Sequence, residues 1–580
     1  MASMISYTPA LVEMEKKSDP VRTDERRISR QIDTLQRISR QERSRQEGEN
    51  WTEQMRDFHE LKYQSSSSAP SYRPRVILPE LQYLLMSEST DLTNDSPRCY
   101  ISIDGKRDEE REKAFQAAWR QGMVNNRIFD AVLWSQYCNP AWLMVGFNPD
   151  ARGGKGAPWV SALDPSSVDP DPHAMKDNEM AFAVYSRWFY VDEIRRQWPE
   201  NGWRVPMPPS PEEFQQEEQE GSRFDLTLEL PEGPLRMDAP EGFEGQNRGS
   251  RKRVRYLWVK DYAKETIQEI AGEKTAEGFE LAMKPRKQWK YPGGRFITEC
   301  DGIILADGPN WVPRLPLDDF GTIPLVGVWS MPHLSSIFGP PPVRYGKGAQ
   351  DIAEKMYTQL IENMVRTNNA QYWIPRDSNI DVDAFGGLPG EVQVYDGEKP
   401  PTMNWANPIP QHMTQIPEVL LQKVARYTGW TPERQGQAGG GNISPELFDA
   451  AVFQSQSILR MKARMLAESY QRLTQMVFYF MARMKLTSDV MRPARGRKQE
   501  PCTWSPVPGS AECELELDDV SVRALSSNMM KALVMNLAKT GIIPTKFLFE
   551  TLEIPDAEEL ADESTKQMEL SALSKLRRPR

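Results

Sequence analysis

The stretch Gly348–Thr367, GAQDIAEKMYTQLIENMVRT, carries a clear helical pattern near the middle of the 580-residue chain. Its apolar residues fall on two neighbouring stripes of helical spacing: Ile352, Met356, Leu360 and Met364 on one, and Ala353, Tyr357, Ile361 and Val365 on the other. One apolar stripe is enough to pack a helix against a single surface, so two stripes predict neighbours on both sides. Such neighbours are either copies of the same helix in a ring or other elements of the same subunit, and the periodicity fits both.

A second long helix is predicted from Ser444 to Lys485. Ser444 suits the N-cap and Pro445 the first helical position, and neither Gly nor Pro interrupts the rest. At about 1.5 Å per residue this helix would be about 60 Å long, which is typical of an element that crosses a large assembly or bends within one.

A glycine-rich run precedes that helix, and its residues are Gln435, Gly436, Gln437, Ala438, Gly439, Gly440, Gly441 and Asn442. Glycine holds no single backbone conformation by itself, and the spacing is not that of a phosphate-binding loop. We favour a functional loop, with a plain linker as the alternative.

The residues before these helices predict an α+β fold. Helices are expected over Leu78–Glu88 and Asp108–Gln136 and from Val191, and strands over Cys99–Ile103, Ala141–Phe147 and Ala181–Tyr190. A further strand is predicted at the start of the C-terminal tail, Glu514–Val520, before tail helices.

Residues 205–344 predict a small, mostly β module inserted between helical parts. A stretch rich in proline and acidic residues opens it, and Val254–Val259 is typical of a strand. Asp301-Gly302 between two apolar runs predicts a hairpin with a type I′ turn, because both central residues of that turn need positive φ.

The sequence predicts a highly charged N-terminal arm over residues 1 to about 75. The sequence Arg27–Gln31 recurs as Arg37–Gln41, with isoleucines and a leucine near helical spacing. Either this segment orders against a neighbouring subunit or it is a solvated, fraying helix.

Charge and composition exclude several classes of protein. The net charge of −10 gives no overall basic surface for gripping nucleic acid, so any DNA contact should be loose. Four scattered histidines form no zinc-binding spacing, and there is no G-x-x-x-x-G-K-[ST] motif, which disfavours an ATPase. Five scattered cysteines suggest reduced thiols in a cytoplasmic setting, and neither a signal peptide nor a membrane span is expected.

Three Asp-Pro steps place Asp164, Asp169 and Asp171 within eight residues. Carboxylates this close suggest a two-metal nuclease site, but each precedes a proline, which favours turns. A metal-dependent nuclease is therefore the less favoured alternative, and it predicts divalent-ion-dependent cleavage that is lost when these residues become Asn.

The order of these features resembles the portal family of tailed bacteriophages, most closely the portals of short-tailed phages. Four passages within about residues 75–560 carry the resemblance: Leu92–Arg98; Val168–Pro172 with Tyr185–Trp188 and the helix from Val191; Gly346–Asn369; and Tyr427–Pro432 with the glycine-rich loop and long helix behind it. None is a catalytic signature.

The resemblance implies a portal-like α+β fold in a dodecameric ring with the following regions: an N-terminal arm, 1–75; wing, 76–190 and 371–520; stem, 191–204 and 345–370; clip, 205–344; and crown, 521–580. It makes 435–443 the tunnel loop that touches DNA and 444–485 the spine of the wing. The stem residues it places toward the channel are Lys355, Gln359, Glu362 and Arg366.

The resemblance also implies a non-enzymatic role without cofactors, at one vertex of the virion after assembly in the host cytoplasm. Its partners would be other copies of the chain, double-stranded DNA in the channel, the terminase, a tail adaptor, and the major capsid and scaffolding proteins. Another connector or minor capsid protein is the structural alternative.

Overall fold

A computed structural model describes residues 20–62, 76–93, 99–103, 105–148, 151, 156–205, 251–275, 278–312, 314–315, 318, 321–368, 371–376, 396, 398–399, 402–404, 410–427, 457–482, 488–491, 501–504 and 513–517. Helices and antiparallel strands are both present among these residues, so the α+β class is confirmed.

The α-helices in the described part of the chain are α1 (Pro20–Glu47), α2 (Trp51–His59), α3 (Glu80–Thr93), α4 (Glu109–Gln121), α5 (Val124–Tyr137), α6 (Val191–Gln197), α7 (Val343–Asn368), α8 (Gln411–Tyr427) and α9 (Ser457–Ala482). The strands are β1 (Cys99–Ile103), β2 (Lys106–Arg107), β3 (Ala141–Asn148), β4 (Ala157–Leu163), β5 (Val168–Pro170), β6 (Phe182–Tyr190), β7 (Arg251–Val259), β8 (Lys264–Thr275), β9 (Gly278–Trp289), β10 (Arg295–Cys300), β11 (Ile303–Pro309), β12 (Leu325–Val328), β13 (Gln371–Trp373), β14 (Thr402–Asn404), β15 (Ser488–Met491), β16 (Pro501–Trp504) and β17 (Cys513–Leu517).

The strands pair in antiparallel sheets. The largest has the order β11-β10-β7-β6-β5, and two three-stranded sheets have the orders β12-β3-β4 and β17-β1-β2. The pairs β8-β9, β13-β14 and β15-β16 complete the described pairing. The β8–β9 ribbon has twelve residues in each strand, which makes it about 40 Å long at about 3.3 Å per residue.

The chain divides into two compact units. The first includes the described residues within 1–52, 97–340 and 468–518, and the second those within 53–96, 341–467 and 519–580. The five-stranded sheet belongs to the first unit, and α3, α7 and α8 belong to the second.

Helix α1 packs on the five-stranded sheet of its own chain. Ile32 is fully buried against apolar side chains of that sheet, and Ile28 and Leu35 pack beside it. The helix therefore differs from both interpretations of the N-terminal arm: it is neither frayed nor left for a neighbour to order. A single apolar stripe on a highly charged helix is enough for docking once a sheet offers a matching face.

The sheet joins residues on both sides of the predicted boundary at 205. Strand β6 pairs with β7 along its whole length, from Phe182 opposite Val259 to Tyr190 opposite Arg251. Strand β12 likewise pairs with β3. The described part of 205–344 is thus continuous in sheet structure with 141–190, and hydrophobic periodicity cannot reveal such pairing between distant strands.

The predicted hairpin is confirmed. Strands β10 and β11 are joined by Asp301 and Gly302, with φ of 49° and 80°, so both central residues have the positive φ of a type I′ turn.

The single helix predicted over Asp108–Gln136 is wrong, because two helices, α4 and α5, occupy this stretch. The helical conformation is interrupted at Gly122 and Met123, and Met123 has a left-handed φ of 49°. Glycine is a poor helix former, and the left-handed residue after it turns the chain into a new helix.

The other predicted elements before residue 205 are confirmed. The strand at Cys99–Ile103 has the predicted bounds, and the others differ by small shifts at their ends. The helix predicted over Gly348–Thr367 is α7, which begins five residues earlier. Of the helix predicted over Ser444–Lys485, residues 457–482 form α9, and its predicted start lies outside the described residues.

Candidate functional site

The second unit positions α7 by a polar anchor at its N-terminal half. The side chain of Gln350 is buried and accepts a hydrogen bond from the backbone N–H of Leu81 at 2.9 Å, while its amide donates to the carbonyl of Leu78. Glu354, one turn further on, accepts from the backbone N–H of Leu78 at 3.0 Å. These bonds satisfy backbone groups just before and at the start of α3, so the two helices are tied by direction-specific contacts.

A glycine allows the close approach of three helices in this unit. A Cβ on Gly346 of α7 would lie 2.9 Å from Cδ1 of Leu81 in α3 and 3.1 Å from Cγ1 of Val424 in α8. Leu81 and Val424 are both fully buried. The N-terminal end of α7 is therefore closely packed between α3 and α8.

A buried ion pair lies in the same unit. Lys462 of α9 and Glu88 of α3 are 2.7 Å apart, and both side chains are almost completely inaccessible to solvent. Sequence reasoning missed this pair, although a lysine within the apolar stripe of a long helix is a signal for a buried partner.

One face of α7 is buried in the N-terminal half of the helix and exposed to solvent in its C-terminal half. Gly346, Gln350 and Ala353 are buried, and helical spacing carries this face on to Ile361 and Met364. There Ile361, Met364 and Val365 are 37%, 60% and 50% exposed. Helix α7 therefore presents apolar side chains to solvent on the face that is packed two or more turns earlier.

Helix α8 exposes a second apolar stripe. Met413, Ile416 and Val419 are spaced by three residues and are all exposed, whereas Val424 on the same helix is buried. We call six of these exposed side chains the apolar surface: Ile361, Met364 and Val365 of α7, and Met413, Ile416 and Val419 of α8. Large apolar side chains left in solvent on two neighbouring helices are typical of a surface that binds another protein.

The four predicted channel residues lie on a different face of α7. Lys355, Gln359, Glu362 and Arg366 follow one another at spacings of four, three and four, so they form one polar stripe along the helix. Lys355, Gln359 and Arg366 are exposed and Glu362 is half-buried. The structure thus brings these residues to one line, with the apolar surface elsewhere around the helix.

The predicted tunnel loop lies outside the described residues. This applies to all eight of its residues: Gln435, Gly436, Gln437, Ala438, Gly439, Gly440, Gly441 and Asn442. The crown region 521–580 also lies outside them.

The Asp-Pro carboxylates accept hydrogen bonds from protein groups. Asp164 caps a short 3-10 helix through the N–H of Ser166, and Asp171 accepts from the backbone N–H groups of His173 and Ala181. Asp169 is fully buried and forms an ion pair with Arg40 at 3.2 Å. These contacts are those of turns and of α1 docking, and the described residues hold no cluster of three metal-binding side chains.

Cys99, Cys138 and Cys300 are buried and form no disulfide. Burial raises the pKa of Cys99 to about 12, with a smaller contribution from Glu112, and burial also raises the pKa of Cys138 and Cys300. These groups are protonated thiols at neutral pH, whereas a nucleophile requires the thiolate.

No helix within the described ranges has the length and apolar character needed to cross a bilayer.

A scan against protein-family models finds no match to the chain, and a search of curated proteins finds none either.

Proposed function

We propose that the chain is a portal subunit of a tailed bacteriophage, in which copies form a closed ring at one capsid vertex and DNA passes through its centre. The observation that carries the proposal is the apolar surface of α7 and α8. An isolated subunit would expose these side chains to water, whereas a neighbour in a ring would bury them.

The two faces of α7 suit this arrangement. A helix that lines a channel needs apolar contacts to its neighbours and a polar face toward the aqueous lumen. The apolar surface supplies the first and the stripe Lys355–Arg366 the second. In the proposed ring this stripe faces DNA, and α7 is the stem.

The distribution of charge favours a channel through which DNA passes over a site that binds DNA tightly. The stripe mixes two cationic side chains with one carboxylate, and the chain as a whole has a net charge of −10. Nonspecific affinity for DNA grows with the number of phosphates that cationic groups neutralise. A mixed stripe in an acidic protein lets phosphates pass without strong binding.

The remaining regions take their proposed roles from the same family resemblance. The β8–β9 ribbon lies within the proposed clip, 205–344, which would dock the terminase and later the tail adaptor. The pairing of β6 with β7 means that such a clip would share a sheet with part of the wing. The loop 435–443 would meet the DNA, and 521–580 would form the crown.

The decisive measurement is the mass of the purified full-length chain by native mass spectrometry, with symmetry counted in negative-stain class averages. We expect a closed ring of about twelve copies with a central hole, because a closed ring satisfies every copy of a head-to-tail interface. A stable monomer or dimer across a range of salt concentrations would contradict the proposal.

A further inference from the structure

A cleft of about 580 Å³ lies between the C-terminal half of α1 and the start of β7. Four arginines line it, Arg37 and Arg40 from α1 and Arg253 and Arg255 from β7, together with the carboxylates of Asp33 and Glu49. The other lining residues are two glutamines and a serine of α1. All of its lining residues are charged or polar, so the cleft offers hydrogen-bond donors and charge to a ligand.

Alternation along β7 places the two strand arginines toward α1. Leu257 packs in the cluster beneath Ile32 of α1, and residues two and four positions before it share its face of the sheet. Arg253 and Arg255 therefore continue this face from its apolar half into the cleft. The helix covers the apolar half closely, whereas in the cationic half Arg253 is partly exposed and Arg255 is mostly buried.

Two of the arginines are held rigidly. Arg255 pairs with Asp33 and contacts the fully buried Glu299 at 2.5 Å, and these partners raise its pKa although burial opposes the charged form. Arg40 is held by Asp169. The donors of Arg255 are taken by these partners, so Arg255 shapes the wall of the cleft, whereas Arg40 is 44% exposed and still offers Nη1 to a ligand. A fixed guanidinium of this kind binds an oxyanion at a small entropic cost, because its geometry is set before the ligand arrives.

Arg37 has no such partner among the described residues. It is exposed on α1 at the cleft, and no group in the described part of the chain forms a hydrogen bond or an ion pair with its side chain. A cation of this kind next to fixed donors is the group that a bound anion would engage first.

We propose that this cleft binds phosphate oxyanions, either as free phosphate or in the backbone of a nucleic acid. The guanidinium fork matches two phosphate oxygens at once, and the exposed side chains of Gln41 and Ser44 add neutral donors. The absence of aromatic lining means that a nucleotide would be held by its phosphates without base stacking.

The test uses the full-length chain in about 50 mM NaCl. Inorganic phosphate and pyrophosphate are titrated by calorimetry, and a labelled DNA duplex by fluorescence anisotropy, with wild type, Arg37→Glu, Arg37→Ala and Arg30→Glu. Arg30 is also an exposed residue of α1 but does not line the cleft, so Arg30→Glu makes the same charge change elsewhere on the helix. Circular dichroism checks that all four chains are folded.

We expect wild type to bind at least one of these probes, and Arg37→Glu to weaken that binding by about tenfold or more, Arg37→Ala by less, and Arg30→Glu by less than about twofold. Binding of phosphate and pyrophosphate alone identifies a free-anion site. DNA binding that falls steeply toward about 200 mM NaCl and is competed by pyrophosphate identifies a nucleic-acid backbone.

Either of two results overturns the inference: wild type binds none of the probes, or Arg30→Glu weakens binding as much as Arg37→Glu. The inference does not require ring assembly. A monomeric chain that binds phosphate at Arg37 would overturn the proposed function alone, and a ring without such binding would overturn this site alone.

Discussion

At the scale of single residues, the first unit contains one buried guanidinium between two buried carboxylates. Arg472 of α9 lies 3.2 Å from Oδ2 of Asp177 and 3.1 Å from Oδ1 of Asp318. Asp177 also accepts a hydrogen bond from the backbone N–H of Gly327 at 3.2 Å. One positive charge cannot fully offset two negative ones, and burial raises the pKa of Asp177 although Arg472 opposes this change.

The raised pKa of Asp177 predicts a pH-dependent contribution to stability. In the unfolded chain this pKa is near its ordinary value of 3.8, and in the folded chain it is higher. Between the two values the folded state binds more protons, so this group lowers the free energy of unfolding as pH rises through that interval. Asp177→Asn removes the ionisation and keeps the size of the side chain.

We therefore expect the free energy of unfolding of Asp177→Asn to rise relative to that of wild type as the pH increases above 3.8, because only the wild-type protein loses stability when the buried carboxyl ionises. Urea denaturation of both proteins at several pH values measures this difference. A difference that stays constant with pH would show that Asp177 does not titrate as described.

At the scale of elements, α7 offers a matched pair of glycines two residues apart. A Cβ on Gly346 would crowd Leu81 and Val424, whereas a Cβ on Gly348 would meet no atom within 4 Å. Alanine is more favourable than glycine inside a helix by about 0.5–1 kcal/mol. Only at Gly348 is this gain free of a steric cost.

We expect Gly348→Ala to raise the free energy of unfolding by about 0.5–1 kcal/mol and Gly346→Ala to fall below Gly348→Ala by about 1 kcal/mol or more. Thermal and urea denaturation of the two variants and wild type measure both differences. Equal stabilisation by the two substitutions would mean that α3, α7 and α8 are less closely packed at Gly346 than the structure has them.

Elements set by local chemistry could be predicted from the sequence, and those set by distant contacts could not. The turn at Asp301-Gly302 requires two positive φ values, which those two residue types tolerate, so its position is visible in the sequence. The docking of α1 depends on Asp169 and Glu299, more than a hundred residues away, and no spacing within the helix reveals them. Gly122 was visible as a weak helix former, but its effect depended on the left-handed Met123 that follows.

At the scale of the whole molecule, the sequence could predict α7 and its stripes but not which part of each stripe is covered. Two apolar seams favour neighbours on both sides, whether these belong to one subunit or to several. The structure covers the face of Gln350 and Ala353 within the chain and leaves Met364 and Val365 exposed. Coverage is a property of the packed chain, so periodicity alone cannot divide one stripe between an internal and an external partner.

The exposed end of α7 gives a direct test of whether it packs against another copy of the chain. Replacing Met364 and Val365 together by Glu introduces two charges where the proposed ring has apolar contacts. Burying an unpaired carboxylate would cost at least about 2 kcal/mol at each subunit contact, which weakens association by about thirtyfold. Both side chains are at least half exposed in the isolated chain, so the fold of the subunit should be retained.

Gln359→Glu on the polar stripe of the same helix is the matched control, because it adds a carboxylate where the proposal places an aqueous channel. We expect native mass spectrometry to show rings for wild type and Gln359→Glu, and mainly monomers for Met364→Glu/Val365→Glu at the same concentration and with the same circular dichroism spectrum. Rings of undiminished yield in the double variant would show that the apolar surface is not the subunit contact. Loss of rings in the control alone would place the polar stripe between subunits, with the channel lined by another face.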